Sequence, residues 1–534
     1  MKKGVFLYLL LFVGIALFLH IFKASEVPAC VNADEAAFGY NAYSLLKTGK
    51  DEYGIFLPLR LKSFGDYKLP LYSYLSVPFI GLFGLSAMSA RMLANIFGVL
   101  FPIVIFLLAH QFFKDKKIAL VAAFAASVSP WLQITARHAH EAILVVFILS
   151  ITVIFLIRFL ASFSFFDFFC FSLMQGVGLF TYHSTKIFSF FFLIYVLYIL
   201  LKKRKEVQGS RMLFFVVLFL PIIFFLYSEF QSPPTRVQNL IFFRDTGFNL
   251  KIYELRNEHN IQIFHNKLTQ GFFDLSKQYF TYFSPQFLFI SGDANPRFGY
   301  PGISPISLVE YIFFLIGLYY LFKRKEKYRF LIILLLFVSP LPASLAWQEY
   351  SLTRSFFLVV PILLVASYGF IHLARNVGHR RVFFMVVASV FLIFIAQTWD
   401  YYFFHYYKRA LVKRSWQCGY KELANYVKEN YTNFDEFIIT SRHGQPYIEL
   451  LFYLRYDPTQ YQKQARLSPP DEYGFGQVES FDKFNFNFNL DLTKKGISYI
   501  GYPEHFEDRK DIDMDKIKKI YADGEEIFWI YENL

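Results

Sequence analysis

The chain has 534 residues, of which 55% are hydrophobic, 21% aromatic and only 18% charged, with 70 phenylalanines and a net charge of +13. Soluble chains of this length bury a smaller apolar share and carry more charge, so the composition excludes a string of soluble domains and points to an integral membrane protein. The basic excess belongs first to membrane topology, and no nucleic-acid partner is expected.

In chain order, apolar runs long enough to cross about 30 Å of hydrocarbon fall at 4–22, 91–113, 118–134, 141–160, 164–181, 186–201, 212–228, 304–322, 329–346, 354–374 and 382–399, which makes eleven predicted spans. The first run has no small-residue cleavage site behind it and reads as an uncleaved helix. With the N-terminus cytoplasmic, the segments Lys2–Lys3, Lys114–Lys117, the turn at Arg158, Lys202–Arg211, Lys323–Arg329 and Arg375–Arg381 all face inward, in keeping with the positive-inside bias. The outer side receives 23–70, where six basic and six acidic residues cancel, the turns 135–140, 182–185 and 347–353, the loop 229–303, and everything from 400 onward. In that last stretch charge density rises. Short β-type runs appear at Phe437–Thr440, Ile497–Gly501 and Ile527–Tyr531, with a helical stretch at Tyr447–Leu454. The expected architecture is a polytopic α-helical membrane domain over 1–399 followed by a small extracytoplasmic α/β domain over 400–534. Cys30, Cys170 and Cys418 are too few and too scattered for a disulfide framework or a Cys-based metal site. Whether Cys30 and Cys418, both on the outer side, meet is left open.

The first outer segment carries the most chemistry. Phe38, Ala42 and Leu45 share one face of a helix that Gly49 ends, and such a helix would lie along the membrane surface. Asp34 and Glu35 open it. One reading makes them helix-start acids, with Asn32 as N-cap and Glu35 at the capping-box position. The other makes one carboxylate a general base at the water–lipid boundary, and both hold if Glu35 caps while Asp34 stays free. The outer turn between the third and fourth spans holds Arg137, His138, His140 and Glu141, with Arg137 and Glu141 at ion-pair spacing along a helix. The His138 and His140 grouping resembles metal-ligand chemistry without matching a zinc motif. Lys186, Arg297 and Arg354 fall on the same outer side. Lys186 reads equally as an interfacial anchor and Arg297 as a loop residue. Together these cations suit an anionic lipid headgroup beside carboxylates that take a proton. No Walker A, GxGxxG or GxSxG pattern is present, so an activated donor carried on a lipid phosphate fits better than a soluble nucleotide.

The run from Asp34-Glu35 to Gly54, its continuation from Phe64 to Tyr74, Ser129-Pro130-Trp131 with Arg137 and Glu141, and the stretch Ser291 to Arg297 together resemble the GT-C superfamily of membrane glycosyltransferases. Within it the likeness is to bacterial protein O-mannosyltransferases and lipid A aminoarabinose transferases, over roughly residues 1–400. The resemblance implies a polyprenyl-phosphate-linked sugar donor, a protein, glycan or lipid hydroxyl acceptor, and inversion at the anomeric carbon. It implies Asp34 as catalytic base, Glu35 and Glu141 organising the acceptor or the donor phosphate, and Arg297, Lys186 or Arg354 holding the leaving phosphate. Members differ in metal use, so a divalent metal stays an open question. The competing readings are a transporter or lipid flippase, which calls for ionisable residues at mid-span and paired broken helices, and a non-catalytic membrane scaffold with a binding domain. The expected location is the cell (inner) membrane, with the N-terminus cytoplasmic and the C-terminal domain outside.

Overall fold

In hydrocarbon every backbone N–H and C=O must find its partner within the segment, so apolar runs of this length become helices, and each of the eleven does. The computed structural model describes residues 3–64, 66–203, 211–230, 246–259, 261–346, 350–469, 476–507, 509 and 512–533. Lys2 and parts of the basic segment 202–211, the outer loop 229–303 and the outer turn 347–353 lie outside the described residues. Among the described residues seven helices are long and apolar enough to cross a membrane: Lys3–Ile21, Ala87–Phe113, Glu141–Ser162, Thr185–Lys202, Met212–Phe230, Phe356–Asn376 and Arg380–Lys408. The other expected spans are shorter or broken. The run 118–134 divides into Lys116–Val128 and Pro130–Thr135. Ser129 caps the second piece through Leu132 N and Pro130 takes its first position, where a missing N–H costs nothing. The run 329–346 divides into Arg329–Val338 and Leu341–Ser344, with Pro340 at the N-cap of the second piece. An apolar helix that the sequence reading did not assign spans Leu71–Phe83.

The chain packs as two units: Met1–Phe22 with Ala94–Tyr402, and Lys23–Leu93 with Phe403–Leu534. In the first unit, helix Val359–Asn376 is buried almost along its whole length. It meets helix Leu308–Lys323 with the two backbones in contact. Gly369 lies against the Phe313 carbonyl and Gly317 against the Val365 carbonyl, so a Cβ at either position would overlap backbone. Small residues at a crossing are how helices in lipid gain van der Waals contact. Helix Arg380–Asp400, in contrast, buries only Thr398 and Trp399, as a lipid-facing helix does.

The second unit is built on a seven-stranded mixed sheet and on the first outer segment. A two-stranded hairpin comes first, β1 (Leu61–Ser63) antiparallel to β2 (Asp66–Lys68). The sheet follows with β3 (Glu436–Thr440), β4 (Arg466–Leu467), β5 (Val478–Phe481), β6 (Phe484–Asn487), β7 (Ile497–Gly501), β8 (Lys518–Ala522) and β9 (Glu525–Asn533), in the order β4-β5-β6-β3-β7-β9-β8. Central β3 pairs in parallel with both β6 and β7, and the outer pairs are antiparallel. The expected runs at 437–440, 497–501 and 527–531 are thus β3, β7 and the body of β9, and the expected helical stretch is Pro446–Leu454.

Helix Ala33–Thr48 has more than one covered face: it is buried on most sides, where Leu71–Phe83 and the C-terminal helices Pro446–Leu454 and Pro458–Gln464 pack on it. Gly39 meets Phe452, and the Tyr40 hydroxyl donates to the Tyr456 carbonyl at 3.1 Å. Cys30 and Cys418 form a disulfide across a sequence separation of 388 residues. The cysteine count, too low for a framework, still allows this single bridge.

Candidate functional site

In the second unit the site is built on the start of helix Ala33–Thr48. Asn32 is extended, and its side-chain oxygen accepts from Asp34 N and Glu35 N at 3.0 and 3.3 Å. With those amides satisfied, the two adjacent carboxylates take separate partners. Glu35 turns inward, where Arg91 Nε and Nη2 donate to it at 2.8 and 2.7 Å; the pair is buried, at 7% and 1% exposure. Arg91 Nη2 also donates to the Cys30 carbonyl at 2.6 Å. Asp34 faces outward at 28% exposure and is not free, since Lys68 Nζ donates to it at 2.8 Å. Hairpin β1–β2 delivers that lysine, and its ammonium rests over the rings of Phe38 and Phe64 at 4.6 and 4.9 Å.

Deeper in the same unit lies a second acidic pair that the sequence reading passed over. Asp51 and Glu52 are essentially unexposed. Burial pushes the Asp51 carboxyl up to about 6 and the Glu52 carboxyl up to about 8, with Asp51 adding to the rise at Glu52. Asp51 Oδ1 accepts from Tyr53 N and Ile55 N, and the Tyr447 hydroxyl stands 3.5 Å from Glu52 Oε1.

In the first unit residues 136–140 form a loop between two helices, so Arg137 and Glu141 are not one turn apart on a helix as their spacing suggested. The Arg137 guanidinium is buried and donates to the carbonyls of Leu19 and Phe22, the latter at 3.0 Å. His140 is the N-cap of Glu141–Ser162 and accepts from Ala142 N; its Nδ1 lies 3.7 Å from the Glu141 carboxylate. An aromatic cluster gathers around the histidines. Phe298 packs on His138 and His140 at 5.7 and 5.3 Å, and Tyr182 lies 5.8 Å from His140. His138 Nδ1 is 3.0 Å from the Tyr300 hydroxyl. The Arg297 guanidinium stacks on the same Phe298 ring, at 4.4 Å. His138, His140, Glu141 and Arg297 therefore come together. The Lys186 ammonium lies 3.0 Å from Glu229 and over the ring of Phe225. Arg354 lies in the field of Asp293, a buried carboxylate raised by desolvation and held down in part by backbone N–H groups of Leu352 and Asn295 and by Arg354.

Among the described residues no three of His, Cys, Asp and Glu converge as metal ligands. The exposed and buried acids at the helix start each already face a cation, Lys68 and Arg91. A divalent ion there would have to displace an ammonium or a guanidinium, so this donor set does not fit one. Lys68, Arg91 and Gln417, whose side chain accepts from Ala33 N at 2.8 Å, are the residues that sequence reasoning missed. Lys68 lies within the quoted run Phe64 to Tyr74 and could have been found as its one cation. Neither of the other two stands in a motif.

Residues 68–227 match the family described as dolichyl-phosphate-mannose-protein mannosyltransferase. Among solved structures, the chain is similar to ArnT from Cupriavidus metallidurans bound to undecaprenyl phosphate, with a TM-score of 0.56 and 12% identity over 99% of this chain and 98% of that one. It is also similar to the Archaeoglobus fulgidus oligosaccharyltransferase in complex with Zn and sulfate, with a TM-score of 0.54 and 14% identity over 84% of this chain and 61% of that chain. The same archaeal enzyme tethered to an acceptor peptide containing the NVT sequon gives 0.52 and 13%, over 85% and 63%. The chain thus spans less than two thirds of the archaeal enzyme. No curated protein matches it in sequence. At these identities the structural likeness is one of fold, that of a multi-pass helical membrane protein ending in a sheet.

Proposed function

We propose that this protein is a GT-C membrane glycosyltransferase, a reading supported by the family match over residues 68–227 and by the shared fold, and that it moves a sugar from a polyprenyl-phosphate-linked donor to a hydroxyl acceptor at the outer face of the membrane, with inversion. The acceptor oxygen bonds to the anomeric carbon as the bond from that carbon to the phosphate oxygen breaks. The hydroxyl proton passes to Asp34, and the electron pair leaves on the lipid phosphate. A phosphate leaving group needs little acid assistance, so one base and a set of cations suffice. Asp34 is the base because it is the exposed carboxylate at the helix start. Glu35, held by Arg91, fixes that start, and Lys68 holds the Asp34 carboxylate until an acceptor hydroxyl comes within reach. Glu141 with Arg297, and Arg137, Lys186 and Arg354, supply the carboxylate and cations for the donor phosphate.

The observation that carries this reading is the split between two adjacent acids, one buried on a guanidinium and the other partly exposed on an ammonium. The proposal keeps a transmembrane domain over 1–399 and an extracytoplasmic α/β domain over 400–534, onto which the segment Lys23–Leu93 packs, in the inner membrane with the N-terminus cytoplasmic. The Cys30–Cys418 disulfide supports that orientation, since such bonds persist in oxidising compartments. The test is transfer of label from a radiolabelled polyprenyl-phosphate sugar pool in membranes holding wild type or Asp34→Asn at matched expression. Collapse in the variant, which keeps shape and loses the base, is expected. Full activity in Asp34→Asn would move the base to another carboxylate.

A further inference from the structure

The first turn of any helix has N–H groups with no partner inside the helix. At helix Ala33–Thr48 the neighbouring Asn32 takes two of them, on Asp34 and Glu35, and the Asn32 carbonyl takes Ala36 N at 2.9 Å. The remaining amide, Ala33 N, donates to Gln417 Oε1 at 2.8 Å, from 384 residues away. That amide is one residue from the proposed base.

Several features hold Gln417 at this post. Its backbone is left-handed, with φ 56°, a conformation that a residue other than glycine keeps only where its surroundings impose it. Cys418, the next residue, is bonded to Cys30, so the chain on either side of the contact, 30–33 and 417–418, is cross-linked. The far side of the Gln417 amide lies against Gly444, where a Cβ would overlap Nε2. A side chain of any size at position 444 would therefore push the amide off its seat. The Arg91 bridge between Glu35 and the Cys30 carbonyl braces the same few residues from another direction.

We infer that Gln417 is a positioning residue for the transfer reaction: it closes the N-terminus of helix Ala33–Thr48 and thereby aims the Asp34 carboxylate. The C-terminal region acts on the reaction through this contact, without touching substrate. The inference rests on the reading of Asp34 as base. A mere anchor would move stability and leave turnover alone. A positioning contact moves turnover, because reacting groups displaced by about 1 Å lose up to about a hundredfold in rate.

The experiment uses the full chain reconstituted in lipid nanodiscs, as wild type, Gln417→Leu, Gln417→Glu and Gly444→Ala. Two quantities are read: hydrogen exchange of the peptide containing Ala33, and kcat and KM for transfer from a polyprenyl-phosphate sugar. Gln417→Leu is expected to speed exchange at Ala33 and to lower kcat roughly ten- to a hundredfold with KM for the donor unchanged. Gly444→Ala should follow it. Gln417→Glu should restore both quantities, because a carboxylate accepts the same bond and suits the positive end of the helix. Wild-type kcat in Gln417→Leu, or a Gln417→Glu variant no better than Gln417→Leu, would overturn the inference. Unchanged exchange in Gln417→Leu would overturn it whatever the activity. If the wild type transfers no sugar while exchange still rises in Gln417→Leu, the transferase reading falls and Gln417 is left as an anchor of the helix alone.

Discussion

Replacing Arg91 by Met tests the architecture of the acidic pair. The variant deletes both bonds that the guanidinium donates to Glu35, at 2.8 and 2.7 Å, and the bond to the Cys30 carbonyl at 2.6 Å. Glu35 is 1% exposed, so water does not replace what is lost. Breaking a buried pair from one end costs about 3–5 kcal/mol, and an orphaned carbonyl adds about 1 kcal/mol. The double variant Arg91→Met with Glu35→Met removes both charges and fills a similar volume, a change that is often neutral, so it should be less damaging than Arg91→Met alone. The assay is reversible unfolding of the purified protein in detergent, read as a double-mutant cycle. A coupling free energy of about 2 kcal/mol or more is expected. An Arg91→Met cost below about 1 kcal/mol, or a double variant equal to the sum of the singles, would refute the claim that the guanidinium and Glu35 hold the helix start as a unit.

Two further outcomes concern the same unit. The Asp51 and Glu52 carboxyls sit at about 6 and about 8 in the folded protein, raised by burial. The folded state therefore keeps protons that the unfolded chain releases, and stability should fall as pH rises from about 4 through 8, the two groups titrating as a pair. Glu52→Gln should flatten that slope in a series of melting temperatures from pH 5 to 9, and an unchanged slope would sink the assignment. Removing the Cys30–Cys418 bridge by paired serine substitution should lower stability by about 2–4 kcal/mol. The variant should also make melting insensitive to reductant; a wild type indifferent to reductant would contradict the bridge.

Much of the fold is legible in the sequence because apolar content and periodicity act locally. The long runs become helices, and the runs at Phe437–Thr440 and Ile497–Gly501 become β3 and β7, buried strands of the sheet. What escapes is what a window blurs. Pro130 opens and Pro340 precedes a new helix inside runs that read as continuous, and Leu71–Phe83, at 13 residues, is too short to register as a span. The site divides along the same line. Asp34 and Glu35 are visible because an Asn followed by acids marks a helix start, a local signal. Their partners are not, since Lys68, Arg91 and Gln417 meet that start from 34, 56 and 384 residues away with no period to betray them.

Those distant partners bear on what the local pattern left ambiguous. Capping and catalysis competed for the same two acids as long as the helix start was considered by itself. In the fold Asn32 accepts from the amides of Asp34 and Glu35, which releases both carboxylates from that duty. Consecutive residues on a helix diverge by about 100°, so one carboxylate can face the interior while its neighbour faces out, and here they do, at 1% and 28% exposure. A group that takes a proton from an acceptor hydroxyl must come within hydrogen-bond reach of it. The buried member, clasped by a guanidinium, does not meet that condition without breaking its pair. The outward member, at 28% exposure, meets it where solvent already reaches its carboxylate, by giving up its contact with Lys68. That difference in access, rather than the acidity of either residue, is the ground on which Asp34 is proposed as the base.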